Sequence, residues 1–390
     1  MTFADCVASS ISKSVVLVEI SLPSETKYYA KKYFTPVNST HLYEGRLISA
    51  FDIGTKRDAL TWGVLEYSGG SITLNNADGY FNQYVTDNWF VGWYGSSVTV
   101  KFGYEQLPLA DYITLWTGYI ESISLTNTNF VLTVAENRKI LDNVDIQASW
   151  INTNAMTVIK EAILLAYPDI TYDSAYFDTV SWEAVAAQNI LVSVDMVDMK
   201  KASEVIQDVS NSIFGIFYTN EYGKYSYKIL NLDAHCTNTI QSNDIIEIPE
   251  ITFDTSDIVS SVIVYCDIDE DIQTSEYAVT VEDYTRENYV YNNYGIKNNK
   301  EYLTYLPNAT AACDFAIKYL DYTCDVHGTF SVTVPMKYYY LTIGDTVFVN
   351  PKNVGNNEFL GMKKCEILGK TYLLDTAMIQ FDLRIYYDEG

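Results

Sequence analysis

Length, composition and charge exclude several classes of protein. The chain has 390 residues, of which 48% are apolar, and it is long enough for two or more hydrophobic cores. Its 25 basic and 50 acidic residues give a formal charge of −25. Proteins that grip nucleic acid need clustered Lys and Arg, so sequence-specific binding of DNA or RNA is not expected. Like charge would still let nucleic acid pass a surface without adhering to it.

The residues give no sign of a membrane segment, a metal site or a cofactor. No apolar run approaches the eighteen or so residues that span a bilayer, and the N-terminus lacks the pattern of a secretory signal. His235 and Cys236 are the only adjacent soft metal ligands, and nothing accompanies them at ligand spacing. We therefore expect reduced cysteines in a protein assembled in the cytoplasm. The cysteines are Cys6, Cys236, Cys266, Cys313, Cys324 and Cys365.

The first third of the chain has the pattern of short β-strands. Its segments are rich in β-branched and aromatic residues, and Gly, Asn, Asp or Pro separates most of them. This spacing predicts a barrel or a sandwich. The predicted strands are Val15–Ile20, Thr26–Phe34, Arg46–Ile53, Leu60–Tyr67, Ser71–Leu74, Ser97–Phe102, Ile113–Leu125 and Phe130–Val134.

The stretch "SITLNNADGYFNQYVTDNWF" predicts a strand followed by a tight turn. A calcium loop with Gly79 in its sixth position would place Leu74 and Val85 where carboxylate ligands are required, so that interpretation fails. Asp78 and Gly79 suit a turn instead. The aromatic residues after the turn need cover, either from the core of the same barrel or from a neighbouring subunit. They are Tyr80, Phe81, Trp89 and Phe90.

Three segments have the spacing of amphipathic helices. "TNAMTVIKEAILLAYPDI" predicts a helix that Thr153 or Asn154 caps and Pro168 ends. "KKASEVIQDVSNSIFG" predicts a second helix that ends near Gly215. A third is predicted over residues 309–323, with Asn308 as its cap. Each has one apolar face, which indicates packing against a core and not a cofactor site.

Strands return after the second predicted helix. "FGIFYTNEYGKYSYKIL" predicts a hairpin, and "VSSVIVYCDI" predicts a strand that runs into four carboxylates. No spaced oxygen ligands complete a cation cage there, so we interpret the acidic run as a solvated loop. Its residues are Asp267, Asp269, Glu270 and Asp271. The tail predicts four more strands, in "GTFSVTVP", "IGDTVFVN", "GMKKCEILGKTYLL" and "AMIQFDLRIYYD".

A weak internal repeat links the two strand-rich ends of the chain. Three short patterns recur in the same order, and they predict two related β-barrel domains. A trimer of such chains would present six similar barrels around one axis, and could join a six-fold partner to a three-fold one. The matched pairs are Gly95–Val100 with Gly344–Val349, Leu115–Gly118 with Phe359–Gly361, and Phe130–Val134 with Phe381–Ile385.

The order of these segments resembles the tail hub proteins of long-tailed bacteriophages and contractile injection systems. The resemblance lies in "SITLNNADGYFN", "GSSVTVKFGY", "LWTGYIESISL", "FVLTVAENRKILDNV", "FGIFYTNEYGKYSY" and "YYYLTIGDTVFVN". It implies a short helix with an apolar face of Ile140, Leu141 and Val144 after the strand in "FVLTVAENRKILDNV". The resemblance further implies a homotrimer in the virion, at the tail tip or baseplate. It also implies a channel for DNA or a tape-measure protein, and as partners a tail tube or distal tail protein and a spike or tip protein. The family has no catalytic residues, so none is carried over to this chain.

The combined expectation is a mainly β fold with an α+β insertion. We predict an N-terminal β-barrel domain over residues 1–147 and an α/β middle domain with two helices over residues 148–215. A second barrel domain is predicted over residues 216–390, with the acidic loop and the helix 309–323 inserted.

Two other functions fit parts of the sequence. Aromatic residues make up 14% of the chain, which suits a carbohydrate-binding adhesin or a receptor-binding tail protein with Trp89 or Trp93 as a platform. A glycosidase would use two carboxylates, but 50 acidic residues place some pair close together by chance. No nucleophile elbow, zinc-protease motif or phosphate loop is present, so we expect a protein that is not an enzyme.

Overall fold

A computed structural model describes residues 2–9, 12–57, 62–66, 68–88, 90–196, 198–230, 236, 238–246, 250–269, 274–281, 284–350 and 361–385. Strands dominate both ends of the chain, and most of the helices lie between them. The first half contains α1 (Phe3–Ala8), β1 (Ser14–Ser21), β2 (Thr26–Ala30), β3 (Leu47–Ser49), β4 (Ile53–Lys56), β5 (Gly63–Val64), β6 (Gly69–Asn75), α2 (Gln83–Asn88), β7 (Ser97–Tyr104), β8 (Ile113–Leu125), β9 (Asn129–Ala135), β10 (Asp145–Ile146), β11 (Ser149–Asn154), α3 (Ala155–Ala166), α4 (Thr179–Ala186) and β12 (Leu191–Asp195).

The second half begins with the last short strand of the middle region. It contains β13 (Lys200–Lys201), α5 (Ala202–Ser212), β14 (Gly215–Thr219), β15 (Tyr225–Ile229), β16 (Asn238–Ile240), β17 (Thr252–Asp254), β18 (Ser261–Asp269), β19 (Thr274–Val281), α6 (Tyr284–Tyr294), β20 (Asn299–Leu303), α7 (Ala309–Thr323), β21 (His327–Pro335), β22 (Thr346–Val349), β23 (Lys363–Leu373) and β24 (Met378–Ile385).

The first barrel is a seven-stranded sheet in the order β2-β1-β7-β8-β9-β6-β3. Its strands alternate buried and exposed residues, because successive side chains of a strand point to opposite faces. One segment, residues 43–49, bonds to both ends of the sheet. The Glu44 carbonyl accepts from Ala30 N–H in β2 at 2.9 Å, and Leu47 pairs with Leu74 in β6. The sheet therefore curls round until its two ends share this segment.

The second barrel has the strand order β16-β22-β23-β24-β21-β17. Its strands β21 to β24 repeat the arrangement of β6 to β9. In each set the last three strands form an antiparallel meander, and the first strand pairs with the fourth. A further strand, β3 or β17, flanks the first strand of each set. The chain thus contains two related β-barrels, as its internal repeat predicts.

Equivalent hydrogen bonds identify matching positions in the two barrels. Gly95 N–H donates to the Ile120 carbonyl at 2.9 Å, and Gly344 N–H donates to the Ile367 carbonyl at 2.8 Å. Both glycines have positive φ, at 74° and 77°. Each isoleucine is followed by one extra residue, a β-bulge. The first of the three predicted matches is therefore confirmed.

The other two predicted matches are wrong in register. Val134 pairs with Ile120, whereas the residue that pairs with Ile367 is Leu383 and not Ile385. The match over β9 and β24 is thus shifted by two residues, which keeps the same faces inside because side chains alternate. Val98 pairs with Gly118 and Val347 with Cys365, so Cys365 occupies the position that had been assigned to Gly361. Phe359 lies outside the described residues.

Residues 53–64 leave the first barrel and enter the rest of the molecule. Strand β4 pairs antiparallel with residues 369–372 of β23, beside the part of β23 that pairs with β22. Strand β5 then pairs in parallel with β14 in the middle region. The chain returns to the first barrel at β6. The predicted strands Arg46–Ile53 and Leu60–Tyr67 were therefore wrong, because this crossing divides them into the short β3, β4 and β5.

Helices α3, α4, α5 and α7 supply a second hydrophobic core, with β14, β15 and β18. The cap of α3 is Asn154, whose side chain accepts from Met156 N–H at 2.9 Å. Asn308 caps α7 by accepting from Ala311 N–H at 3.0 Å. Buried residues of α3 include Val158, Ile159 and Ile163, and burying each such side chain stabilises the fold by roughly 1.5–3 kcal/mol.

The predicted elements are mostly confirmed away from residues 46–67. Strand β8 has the predicted bounds, the three long helices form, and the segment with Ile140 and Leu141 is a short 3-10 helix at Asn137–Asn143. Helices α1, α2, α4 and α6 were not predicted. Helices α1 and α2 are short, and the apolar periodicity of α4 and α6 is weak. The domain limits 1–147, 148–215 and 216–390 stay a prediction.

Alanine substitution of the two matched glycines measures how tightly each barrel turn is packed. Gly95→Ala is expected to lower the free energy of unfolding by about 1 kcal/mol, because a positive φ disfavours a Cβ and nothing lies within 4 Å of it. Gly344→Ala is expected to cost about 2–3 kcal/mol, since its Cβ would lie 2.9 Å from Ile216 Cδ1. Urea unfolding measures both, and equal losses would contradict this packing difference.

Candidate functional site at the junction of the two barrels

A buried ion pair lies where the first barrel's segment meets the second barrel. Arg57 follows β4, and its N–H donates to the carbonyl of Leu368, the bulge residue of β23, at 2.8 Å. Its guanidinium pairs with Glu366, and the two side chains are 2% and 0% exposed. Tyr322 Oη donates to Glu366 Oε2 at 2.7 Å and accepts from Arg57 at 3.1 Å. Burial, together with the Glu366 charge, raises the pKa of Tyr322 to about 12.

Arg384 and His327 continue this buried cluster. The Arg384 guanidinium carbon lies 3.9 Å from the centre of the Tyr322 ring, and its Nη2 donates to the Tyr322 carbonyl at 2.9 Å. His327 Nε2 lies 2.9 Å from that same carbonyl oxygen. Burial and the Arg384 charge lower the pKa of His327 to about 4, although contacts with two carbonyl oxygens oppose the shift.

A second buried ion pair ties the first barrel to the middle region. Arg138 Nη2 donates to Glu136 Oε1 at 2.7 Å, directly after β9. Arg138 Nη1 donates to the carbonyl of Leu65 at 3.1 Å, beyond β5, and to that of Phe217 at 3.0 Å in β14. Glu136 also accepts from Ser68 N–H. One guanidinium thus donates to buried backbone carbonyls from two segments, and the Phe217 carbonyl also accepts from Leu65 N–H at 3.2 Å.

These pairs join separate parts of the fold, and they hold the parts in one arrangement. Removing two charges from water costs several kcal/mol, so a buried pair adds little net stability over an apolar one. Breaking such a pair is costly, however, because the remaining charge stays buried. Arrangements that separate β4 from β23, or β5 from β14, are therefore strongly disfavoured.

No sequence pattern identified the residues of these buried clusters as a candidate site. Arg57, Arg138, Glu366 and Arg384 are charged residues within or next to apolar runs, such as Cys365 to Leu368. A charge at a position that the strand alternation assigns to the interior is the signal that could have identified them. Their partners could not have been identified, because Arg57 and Glu366 are 309 residues apart.

Phe81 and Phe90, two of the aromatic residues after the Asp78–Gly79 turn, are covered by their own barrel. Phe81 is fully buried and stacks on Phe130, with 4.2 Å between the ring centres. The turn is confirmed, since Gly79 has a φ of 71°. Arg46 binds Asp78 through two bonds of 3.0 and 2.8 Å, and these bonds lower the pKa of the carboxyl to about 2. The barrel core, and not a neighbouring subunit, covers Phe81.

The tryptophans proposed as a sugar platform do not form one in the described structure. Trp93 is only 2% exposed, and its ring centre lies 5.2 Å from that of Phe130. The prediction that Trp93 serves as an exposed platform is therefore wrong. Trp89 lies outside the described residues.

The described titratable residues outside the junction show no cluster that would form a metal site. Within the described ranges, no group of three or more His, Cys, Asp or Glu residues is placed to hold a metal ion. The six cysteines are free thiols. His235 and the acidic side chains of residues 267–271 lie outside what the structure describes. None of the described helices combines the length and the apolar character that crossing a bilayer requires.

Loss of Glu366 is expected to destabilise the junction strongly. Glu366→Ala leaves the Arg57 charge buried without its carboxylate, which costs about 3–5 kcal/mol in the free energy of unfolding. Asp375→Ala, at an exposed ion pair with Lys31, is the matched control and should cost less than about 1 kcal/mol. If Glu366→Ala fails to fold, Tyr322→Phe should cost about 1–3 kcal/mol through its lost hydrogen bonds. Similar small losses in all three variants would contradict the assignment.

His327 makes stability depend on pH between its two pKa values. In the unfolded chain it gains a proton near pH 6.5, whereas in the folded protein it stays neutral until about pH 4. The unfolded state binds more protons in this window, so stability falls as the pH is lowered through it. Between pH 7 and 4.5, wild type should lose about 2–3 kcal/mol more than His327→Gln. The exposed His41→Gln is the control and should follow wild type in pH-dependent urea unfolding.

Comparison with solved structures shows what the fold is similar to. No family model and no curated protein matches the chain. A tail protein from Neisseria meningitidis MC58 has a TM-score of 0.56 and 13% identity, over 96% of this chain and 97% of that one. A 43 kDa tail protein of prophage MuSo2 from Shewanella oneidensis has a TM-score of 0.52 and 11% identity, covering 95% and 98%. Prophage tail protein gp18 from Listeria monocytogenes EGD-e has a TM-score of 0.51 and 11% identity, covering 96% and 95%.

These likenesses extend over nearly the whole of each chain. They include both barrels and the region between them, since coverage is 95% or more in each case. This chain therefore has the fold of these phage and prophage tail proteins.

Proposed function

We propose that this chain is a structural protein of a phage tail, the hub at the distal end of the tail tube. Three copies form a ring with a central channel, and the ring adapts a six-fold tube to a three-fold spike or tip. The partners are other copies of the chain, the tail tube or distal tail protein, and the spike or tip protein. The site of action is the virion, at the tail tip or baseplate.

The repeated barrel is the observation that carries this proposal. The two barrels share their strand arrangement, their glycine-to-isoleucine hydrogen bond and their bulge. A ring of three chains then presents 3 × 2 = 6 similar barrels, which can face a six-fold tube while the chain itself keeps three-fold symmetry. The junction supports this role as well, because the Arg57–Glu366 pair joins the two barrels within each chain and the Arg138–Glu136 pair ties the first barrel to the middle region.

The negative charge of the chain suits a channel to which DNA does not adhere. Three copies carry a formal charge of 3 × −25 = −75. Acidic groups facing the bore would repel DNA, which carries about one charge per 1.7 Å of its axis. Screening limits this effect to about 10 Å at 0.1 M salt, so only carboxylates close to the bore contribute. DNA or a tape-measure protein would pass without specific binding.

We propose no enzymatic activity for the chain. Arg57 pairs with Glu366 and Arg138 with Glu136, and the further bonds of these groups and of Arg384 go to backbone carbonyls and to Tyr322. They are thus occupied in joining segments of the fold. A carbohydrate-binding adhesin is less well supported than the hub, because one of its two proposed tryptophans, Trp93, belongs to a barrel core.

Self-association tests the hub proposal directly. Native mass spectrometry over a range of concentrations is expected to give a species of three times the chain mass. Averaged electron-microscope images should show six similar densities around a central opening, because each chain supplies two barrels. A protein that stays monomeric even beside its tail tube partner, or one that forms open-ended polymers, would overturn the trimeric ring.

A further inference from the structure

A cavity of about 100 Å³ lies where the two barrels meet the β14–β15 hairpin. Strands β4, β8 and β23 contribute to its wall, together with residues 218–221 of the hairpin. Its volume equals about three waters, at roughly 30 Å³ each, or one small polar group. Neither Arg57 nor Glu366 lines it, whereas Glu136 of the second buried ion pair is part of its lining. An occupant would touch every part of the molecule that the junction joins.

Two buried polar side chains that line this cavity have no hydrogen-bond partner among the described residues. Trp116 is 4% exposed and its Nε1 is unpaired, and Ser68 is 6% exposed with an unpaired Oγ. An indole N–H can only donate, so it needs an acceptor. Leaving such a group unsatisfied costs about 1–3 kcal/mol, which an acceptor in the cavity would recover.

Lys370 adds a positive charge to the same lining. Its ammonium donates to the carbonyl of Tyr339 and lies 4.6 Å from the centre of the Tyr372 ring, which leaves further N–H donors. Among the described residues, no carboxylate lies within ion-pair distance of it. Burial lowers the pKa of Lys370 to about 7, although the charge of Glu221 opposes the shift.

Two carboxylates near Lys370 already have cationic partners. Asp345 pairs with Lys228 at 2.8 Å, and Glu136 pairs with Arg138 at 2.7 Å. Glu221 also lines the cavity, at an exposed position on the hairpin. The lining therefore contains an ammonium, an indole N–H and a hydroxyl, all of which can donate, beside the Glu136 and Glu221 carboxylates, and no described carboxylate lies within ion-pair distance of the ammonium.

We propose that this cavity binds a carboxylate group, with Trp116, Ser68 and Lys370 as its donors. The carboxylate comes either from a small free molecule or from an acidic side chain of a second copy of this chain. The second source rests on the proposed ring, whereas the first does not. With 50 acidic residues, each copy carries many groups of the required chemistry.

The indole signal of Trp116 tests the proposal. In protein labelled with ¹⁵N-tryptophan, Trp116→Phe identifies its resonance, and acetate is added against sodium chloride at equal ionic strength. A free carboxylate predicts a saturable shift with acetate alone. Binding should be about tenfold tighter at pH 6 than at pH 8, because the protonated fraction of Lys370 falls about tenfold across its pKa.

Variants of Lys370 separate charge from shape. Lys370→Met should abolish the acetate shift, and Lys370→Arg should keep it while removing the pH dependence. Lys363→Met, on the same strand and away from the cavity lining, is the matched control and should behave as wild type.

Dilution tests whether the carboxylate comes from a second copy of this chain. A carboxylate from a neighbouring copy predicts that the Trp116 resonance moves as the protein dissociates, that acetate has no effect in the assembled protein, and that Lys370→Met removes the movement. Assembly without any shift of this resonance, combined with no response to acetate in the dissociated protein, would overturn the carboxylate site and leave the ring intact. Failure of assembly with a normal acetate response would overturn the ring alone.

Discussion

The insertion of β4 into the second barrel is the constraint on which the rest of the structure depends. The strand carries Arg57 to a position where Glu366 neutralises its guanidinium and the Tyr322 hydroxyl accepts a hydrogen bond from it. Once this charge is buried, separating the first barrel from the second would expose an apolar sheet edge. It would also leave a charged side chain without its partner. The position of β5, and with it the contact with β14, follows from the same crossing.

The junction explains how two similar barrels behave as one part. Each barrel has its own bulge and its own glycine-to-isoleucine hydrogen bond, so each could repeat in sequence without reference to the other. The crossing segment breaks this equivalence, because β4 lies on β23, whereas β8 pairs with β7 and β9 in the described sheet. A repeat with the same strand arrangement but an asymmetric junction suits the proposed ring of three chains.

The cavity beside the junction differs from the ion pairs in the hydrogen bonding of its polar groups. Glu366 and Glu136 each pair with a guanidinium, whereas Trp116 Nε1 and Ser68 Oγ have no hydrogen-bond partner among the described residues and line one cavity together with Lys370. Because the wall is built from β4, β8, β23 and the hairpin, an occupant of this cavity would contact both barrels.

Local sequence patterns were sufficient to identify most helices and strands and the mainly β fold class. Alternation identified β8 to its last residue, helical period with Asn154 and Asn308 located α3 and α7, and Gly95 and Gly344 identified the repeat. These signals are local, because the periods of 2 and 3.6 residues and the caps act over a few positions. Long-range packing determines that Arg57 pairs with Glu366 and that Trp93 is buried. It also places β3, β4 and β5 in three different sheets. Such pairings depend on segments hundreds of residues apart, where no local pattern specifies which buried charge meets which partner.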